Sequence, residues 1–214
     1  MRTVAGCDDA GRGPVIGPMV IAGVLVAEDQ QDALWQMGVK DSKLLTPLQR
    51  EHLFDKIISF VQKYVIILIS PQEIDAALMG DTTNLNWLEG QKFARVISQL
   101  HPDCAIVDCP SSNQAAYTKF LGSLIPAGIE LICVHKADTT YAACAAASIL
   151  AKVTRDREIA QLKEKYHLDF GSGYPADPLT QKFLKQHYAT YPELFRTTWA
   201  TYKKVAGQKG LDQF

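Results

Sequence analysis

The segment YAACAAASILAKVTRDREIAQLKEKY, residues 141–166, constrains the fold more than any other stretch of this chain. It contains neither glycine nor proline and reads as one long helix. Its first half is apolar on nearly every side, whereas its second half is heavily charged. Such a helix enters buried and leaves exposed, so other elements must surround its beginning. Short apolar runs supply them. Residues 2–7, 18–27, 64–69, 104–108 and 129–135 read as strands. Helices are expected from Pro47, capped by Thr46, to about 62, and from Pro71, with capping-box spacing between Ser70 and Glu73. Others are expected over 84–100, 114–124, 179–187 and 198–205. Strands mixed with helices, opening on a hairpin, indicate an α/β fold with a central mixed β-sheet flanked by helices and a small C-terminal helical extension.

Composition removes several classes. Hydrophobic residues make up 47% and charged residues 21%, values that exclude wholesale disorder. No apolar run approaches the roughly 18 residues of a membrane span, so no membrane association is expected. The run Met1-Arg2-Thr3-Val4 passes at once into a strand, and no targeting segment is expected before it. Five cysteines form no CxxC pair and sit mostly in apolar runs, pointing to free thiols, a reducing compartment and a cytoplasmic location. The net charge of −1 hides a division: residues 71–151 hold 4 Lys/Arg against 8 Asp/Glu, while residues 152–214 hold 11 against 7. An acidic middle and a basic last third suit a protein that gathers cations with one region and touches an anion with another.

Three apolar runs finish in aspartate: residues 4–7 lead into Asp8-Asp9, 105–107 into Asp108, and 132–137 into Asp138. One strand-end aspartate is an ordinary turn former. Three such ends, brought together by neighbouring strands, would crowd four carboxylates into one volume, which is unfavourable unless a cation intervenes. Oxygen ligands without His or Cys select Mg²⁺ or Mn²⁺. Two such ions suit an in-line phosphoryl displacement. The glycines of Gly11-Arg12-Gly13, directly after the first acidic pair, let backbone amides approach a sugar or phosphate.

The run Asp8-Asp9-Ala10-Gly11-Arg12-Gly13-Pro14-Val15-Ile16-Gly17-Pro18 resembles the opening signature of type 2 ribonuclease H (ribonuclease HII). The likeness continues in Asp41-Ser42-Lys43-Leu44, Val107-Asp108, Lys136-Ala137-Asp138, residues 145–156 and Gly171-Ser172-Gly173-Tyr174-Pro175, and the archaeal branch fits best. It implies an RNase H-like catalytic domain over 1–190, followed by the helical extension 191–206. It also implies a monomeric endonuclease that hydrolyses RNA in RNA/DNA hybrids and cuts at ribonucleotides embedded in duplex DNA, leaving 5′-phosphate and 3′-hydroxyl ends. By the same resemblance Asp8, Asp9, Asp108 and Asp138 fall on the family's metal-binding catalytic acids. Gly11, Arg12 and Gly13 fall on the loop that senses the ribose 2′-hydroxyl, and Tyr174 on the tyrosine that stacks against the sugar at the RNA–DNA junction. Lys43, Ser148 and Lys152 lie in blocks expected near phosphates.

Position 9 departs from the family pattern, which carries Glu there. The shorter Asp9 is expected to keep metal binding and lower turnover. Residues 207–214 are expected as a flexible tail, in which Gln208-x-x-Leu211-x-x-Phe214 resembles the motif by which replication and repair proteins dock on the sliding clamp (PCNA). Two other readings stay open at this point. One is a ribonucleotide-recognising, clamp-tethered binding protein with catalysis impaired by Asp9. The other is a metal-dependent phosphatase, which leaves the Gly-Arg-Gly loop and Tyr174 without a role.

Overall fold

The computed structural model describes residues 1–80 and 83–211, the last four of these by their backbone alone. In chain order the elements are β1 (Thr3–Ala10), β2 (Met19–Ala27), α1 (Gln31–Gln36), α2 (Pro47–Phe60), β3 (Lys63–Ile69), α3 (Pro71–Met79), α4 (Leu85–Leu100), β4 (Cys104–Asp108), α5 (Gln114–Gly122), β5 (Glu130–Val134), α6 (Ala142–Tyr166), α7 (Pro178–His187) and α8 (Ala200–Leu211). The chain forms two compact units, one of residues 1–10, 20–68 and 86–154, the other of residues 11–19, 69–85 and 155–214.

The first unit is built on a five-stranded sheet of order β3-β2-β1-β4-β5. Strand β1 runs antiparallel to β2, with Asp8 opposite Ala22 and Asp9 opposite Ile21. It runs parallel to β4, with Cys7 opposite Val107, and β4 runs parallel to β5. The sheet is therefore mixed, as expected. The start of α6 lies directly on β1. A side chain at Gly6 would meet the Ala143 carbonyl carbon at 2.1 Å, so only glycine permits this approach. Ala142, Ala143, Ala145, Ala146, Ile149 and Leu150 share a core with Val20, Ala22, Val24 and Val26 of β2 and Leu53, Phe54 and Ile57 of α2. At about 25 cal/mol per Å² of apolar surface, such fully buried Val and Leu side chains stabilise by roughly 1.5–3 kcal/mol each.

Local signals set several boundaries. The Thr46 hydroxyl accepts the Gln49 amide at 3.2 Å while the Gln49 side chain accepts the Thr46 amide at 2.8 Å, and Pro47 opens α2. The Ser70 hydroxyl accepts the Glu73 amide at the start of α3. Elsewhere the structure corrects the expectation. Strand β1 continues through Asp8 and Asp9 to Ala10 because the ladder with β2 continues, so the acidic pair stands in the strand and not in the following loop. Strand β5 ends at Val134. Lys136 turns the chain in the left-handed region at φ 56°, and Asp138 sits on the 3₁₀ turn Ala137–Thr139. The short helix α1 had no expectation. Helix α8 runs on to Leu211, taking in the backbone of residues 207–211; the side chains of Gln208 and Leu211, and all of Phe214, lie outside the description.

The second unit packs Val15, Ile16, Ile159, Phe170, Phe183, Leu184, Leu194 and Phe195 into one aromatic-rich cluster. Phe183 sits 5.6 Å from Phe170 and 5.9 Å from Phe195 between ring centroids. Among the described residues all five cysteines are free and buried, and no helix is long and apolar enough to cross a membrane.

Candidate active site

In the first unit the four expected aspartates form one electrostatic series. The Asp8 side chain is 5% exposed, and its carboxylate accepts the Asp9 amide at 2.8 Å and the Ser148 hydroxyl. Burial raises the Asp8 carboxyl well above the ordinary range, and the charges of Asp9 and Asp108 raise it further. Asp108, at the end of β4, accepts the Ala137 amide at 3.2 Å, which ties it to the turn carrying Asp138. Burial raises Asp138 too, followed by the charges of Asp41 and Asp108, while Lys43 opposes the shift. Asp41 is thus a fifth carboxylate in the series, missed because its side chain reads locally as the cap accepting the Lys43 amide at 2.9 Å.

Among the described residues no group of three or more His, Cys, Asp or Glu side chains converges closely enough, as they stand, to hold a metal ion. The donor chemistry nevertheless fits a hard divalent cation. It is all oxygen, and the repulsion that raises Asp8 and Asp138 is what a bound cation relieves.

Ser148, expected near a phosphate, is 5% exposed and engaged inside the unit. Its hydroxyl lies 3.0 Å from that of Ser42, also buried, and reaches Asp8. Ser42 is fixed in turn: the Arg50 guanidinium donates to the carbonyls of Ser42 at 3.0 Å and Leu45 at 2.7 Å. Lys43, next to Ser42, is exposed, and Lys152 is half-buried on α6.

In the second unit the Gly11-Arg12-Gly13 loop and Tyr174 come together. Gly11 has φ +83°, and a side chain there would meet Arg155 Cδ and Nε at 2.4 Å. Tyr174 is 39% exposed. Its ring lies 3.7 Å from the position a Gly13 side chain would take and 5.2 Å from the Arg155 guanidinium carbon. The Gly173 carbonyl accepts the amides of Val15 at 2.8 Å and Ile16 at 3.3 Å, joining the Tyr174 loop to the chain after the glycines. Arg155 is 2% exposed and donates to the Ser172 carbonyl at 3.2 Å. Burial lowers its pKa. Neither it nor Arg196 and Trp199, which also touch this loop, was singled out from sequence. Arg155 lay within the 145–156 block without a distinguishing pattern, and the other two lie beyond the shared blocks.

The sequence profile of ribonuclease HII matches residues 5–202. The chain belongs to the ribonuclease HII family. Ribonuclease HII of Pyrococcus abyssi is 44% identical over 99% of this chain and 96% of the relative. Among solved structures, ribonuclease H2 from Pyrococcus horikoshii OT3 superposes with a TM-score of 0.88 at 42% identity, covering 96% of this chain and 98% of that one. The PCNA:RNase HII complex from Archaeoglobus fulgidus gives a TM-score of 0.85 at 39% identity, covering 99% and 100%. Bst-RNase HIII, solved in complex with Mn²⁺, shares the fold at 20% identity and a TM-score of 0.82, covering 97% of this chain and 70% of that one. The fold is RNase H-like, and the family is of the archaeal type expected from the motifs. Family membership makes this chain a ribonuclease H, an endoribonuclease acting on RNA paired with DNA.

Proposed function

We propose that the chain cuts RNA/DNA hybrids and duplex DNA at embedded ribonucleotides by two-metal-ion hydrolysis, with Asp8, Asp9, Asp108 and Asp138 as the ligands of Mg²⁺ or Mn²⁺. The observation that carries this reading is the buried Asp8 carboxyl, raised by its burial and by the Asp9 and Asp108 charges beside it. A pair of such ions held by these carboxylates would supply an activated water and neutralise the leaving oxygen, and the products would carry 5′-phosphate and 3′-hydroxyl ends. Ser148 holds the Asp8 carboxylate through its hydroxyl, with Ser42 behind it. Lys43 and Lys152 bring positive charge to substrate phosphates. The Gly11-Arg12-Gly13 amides read the 2′-hydroxyl that separates RNA from DNA, and Tyr174 stacks against the sugar at the junction.

The full-length likeness to proteins named Ribonuclease HII favours turnover over the binding-only reading. The test is a labelled DNA duplex with one ribonucleotide, incubated with Mg²⁺, Mn²⁺ or EDTA beside an all-DNA control. Metal-dependent cutting at the ribonucleotide alone is expected. Binding without cutting, restored by Asp9→Glu, would instead make this chain a catalytically impaired form.

A clamp partner is part of the same proposal. The Archaeoglobus fulgidus relative was solved as a PCNA:RNase HII complex, and Gln208, Leu211 and Phe214 stand at the spacing of a one-turn docking motif. Deleting residues 207–214 is expected to abolish clamp binding while cleavage of short duplexes continues. Loss of that cleavage would show the segment to be structural.

A further inference from the structure

Arg196 is wholly buried, and each nitrogen of its guanidinium donates to a backbone carbonyl of one short stretch: Nε to Gly17 at 3.1 Å, Nη1 to Arg12 at 2.9 Å and Nη2 to Gly11 at 2.7 Å. Its own amide donates to the Val15 carbonyl at 2.9 Å. The guanidinium carbon lies 4.9 Å from the centroid of the Trp199 ring, and the Trp199 indole donates to the Gly13 carbonyl at 3.2 Å. The three consecutive carbonyls of Gly11, Arg12 and Gly13 are therefore all taken by Arg196 and Trp199. The turn carrying these two residues is itself fixed. The Asp75 carboxylate accepts the amide and hydroxyl of Thr197 at 2.6 and 2.7 Å, and those of Thr198 at 3.0 and 2.6 Å.

Peptide planarity converts this hold into a direction. No peptide bond among the described residues is cis. In a trans peptide the N–H points opposite to the C=O of the preceding residue. Drawing the Gly11 carbonyl toward Arg196 turns the Arg12 amide away from it, and drawing the Arg12 carbonyl in turns the Gly13 amide away likewise. The carbonyl of Gly13 precedes Pro14, which has no N–H to present. A glycine-rich loop left to itself samples many orientations, and a planar fork of five donors selects one.

We propose that Arg196, supported by Trp199, is a positioning residue for ribonucleotide recognition. With Arg196 binding the Gly11 and Arg12 carbonyls and Trp199 that of Gly13, the Arg12 and Gly13 amides are presented away from this hold as donors to the substrate's ribose. The proposal rests on the reading of this loop as the ribonucleotide sensor. It places the cause of discrimination in a turn that never has to touch the substrate.

The test compares wild type, Arg196→Lys and Trp199→Phe. Lysine keeps the charge but loses the fork, and phenylalanine keeps a ring but loses the indole donor. The readout is the ratio of affinities for a duplex with one ribonucleotide and the same duplex in all-DNA form, measured in Ca²⁺, with kcat and KM in Mg²⁺ and a thermal melt. In Arg196→Lys the affinity ratio is expected to fall about tenfold or more, with KM for the ribonucleotide duplex rising and all-DNA affinity unchanged. A smaller fall in the same direction is expected for Trp199→Phe. Should Arg196→Lys fail to fold, Trp199→Phe decides alone. If wild type discriminates and the folded variants keep its ratio, whatever happens to their Tm, the positioning role is refuted. If wild type does not discriminate, the loop reading itself fails and this proposal with it.

Discussion

Substituting Gly11 by alanine separates two costs that usually arrive together. Gly11 and Gly38 both sit in the left-handed region, at φ +83° and +96°, so alanine at either strains the backbone by about 1–2 kcal/mol. Their surroundings differ. Nothing lies within 4 Å of a side chain placed at Gly38, whereas one at Gly11 lies 2.4 Å from Arg155 Cδ and Nε and 2.9 Å from the Pro18 carbonyl oxygen. Ordinary contact begins near 3.4 Å, so Arg155 or the loop must shift by about 1 Å. Arg155 is 2% exposed and has little room to move. Overpacking of this kind adds about 1–3 kcal/mol, for a total of about 2–5 kcal/mol at Gly11 against about 1–2 at Gly38. A displacement of about 1 Å at a positioning group costs on the order of a hundredfold in rate. Gly11→Ala is therefore expected to lose about that factor in kcat/KM on a single-ribonucleotide duplex and to melt lower than Gly38→Ala, which should cleave at the wild-type rate. Equal kcat/KM in the two variants would refute the reasoning.

Three further outcomes follow from the acidic series. Asp9→Glu restores the residue of the family pattern and is expected to raise turnover, by up to about a hundredfold, with metal affinity retained; equal cleavage rates would remove Asp9 as a determinant. Ser148→Ala removes the hydroxyl that Asp8 accepts, a bond to a charged group worth about 1.5–3 kcal/mol. The Asp8 carboxyl then rises further, so the acid limb of the pH–rate profile should move to higher pH, and an unmoved limb would contradict the assigned contact. Finally, Asp8 and Asp138 hold their protons more tightly in the fold than in the unfolded chain, where the ordinary value is 3.8. The stability they contribute is thus full below that value and is lost as pH rises through their raised values. Without metal, thermal melts from pH 4 upward should show this loss, Mg²⁺ should recover it at neutral pH, and Asp8→Asn should flatten the slope. A slope unchanged in Asp8→Asn would show that other groups set it.

What the sequence made legible was what neighbours along the chain decide. The Ala-rich start of α6 and its charged end, the caps at Thr46 and Ser70 and the short apolar strands all follow from local chemistry. The carboxylates could be named because each closes an apolar run. Their exact seats could not. Whether Asp8 and Asp9 belong to the strand depends on β2, with which they pair, and Asp138 depends on a left-handed lysine, a conformation with no sequence signature. The contacts that most alter the site are the least local. Ser42 meets Ser148 across 106 residues, which places a second hydroxyl behind the one that Asp8 accepts. Arg155 and Arg196 belong to the basic last third of the chain, and no local pattern marks them, yet both are buried.

That distance also has a consequence in time. Gly11 leaves the ribosome before the Arg196 that takes its carbonyl, which is 185 residues behind it. At about 5–20 residues per second, roughly ten to forty seconds of synthesis separate them. The acids Asp8, Asp9, Asp108 and Asp138 are all translated before Arg196. The loop is set last, so a nascent or prematurely terminated chain possesses its carboxylates without the hold that orients its glycine amides.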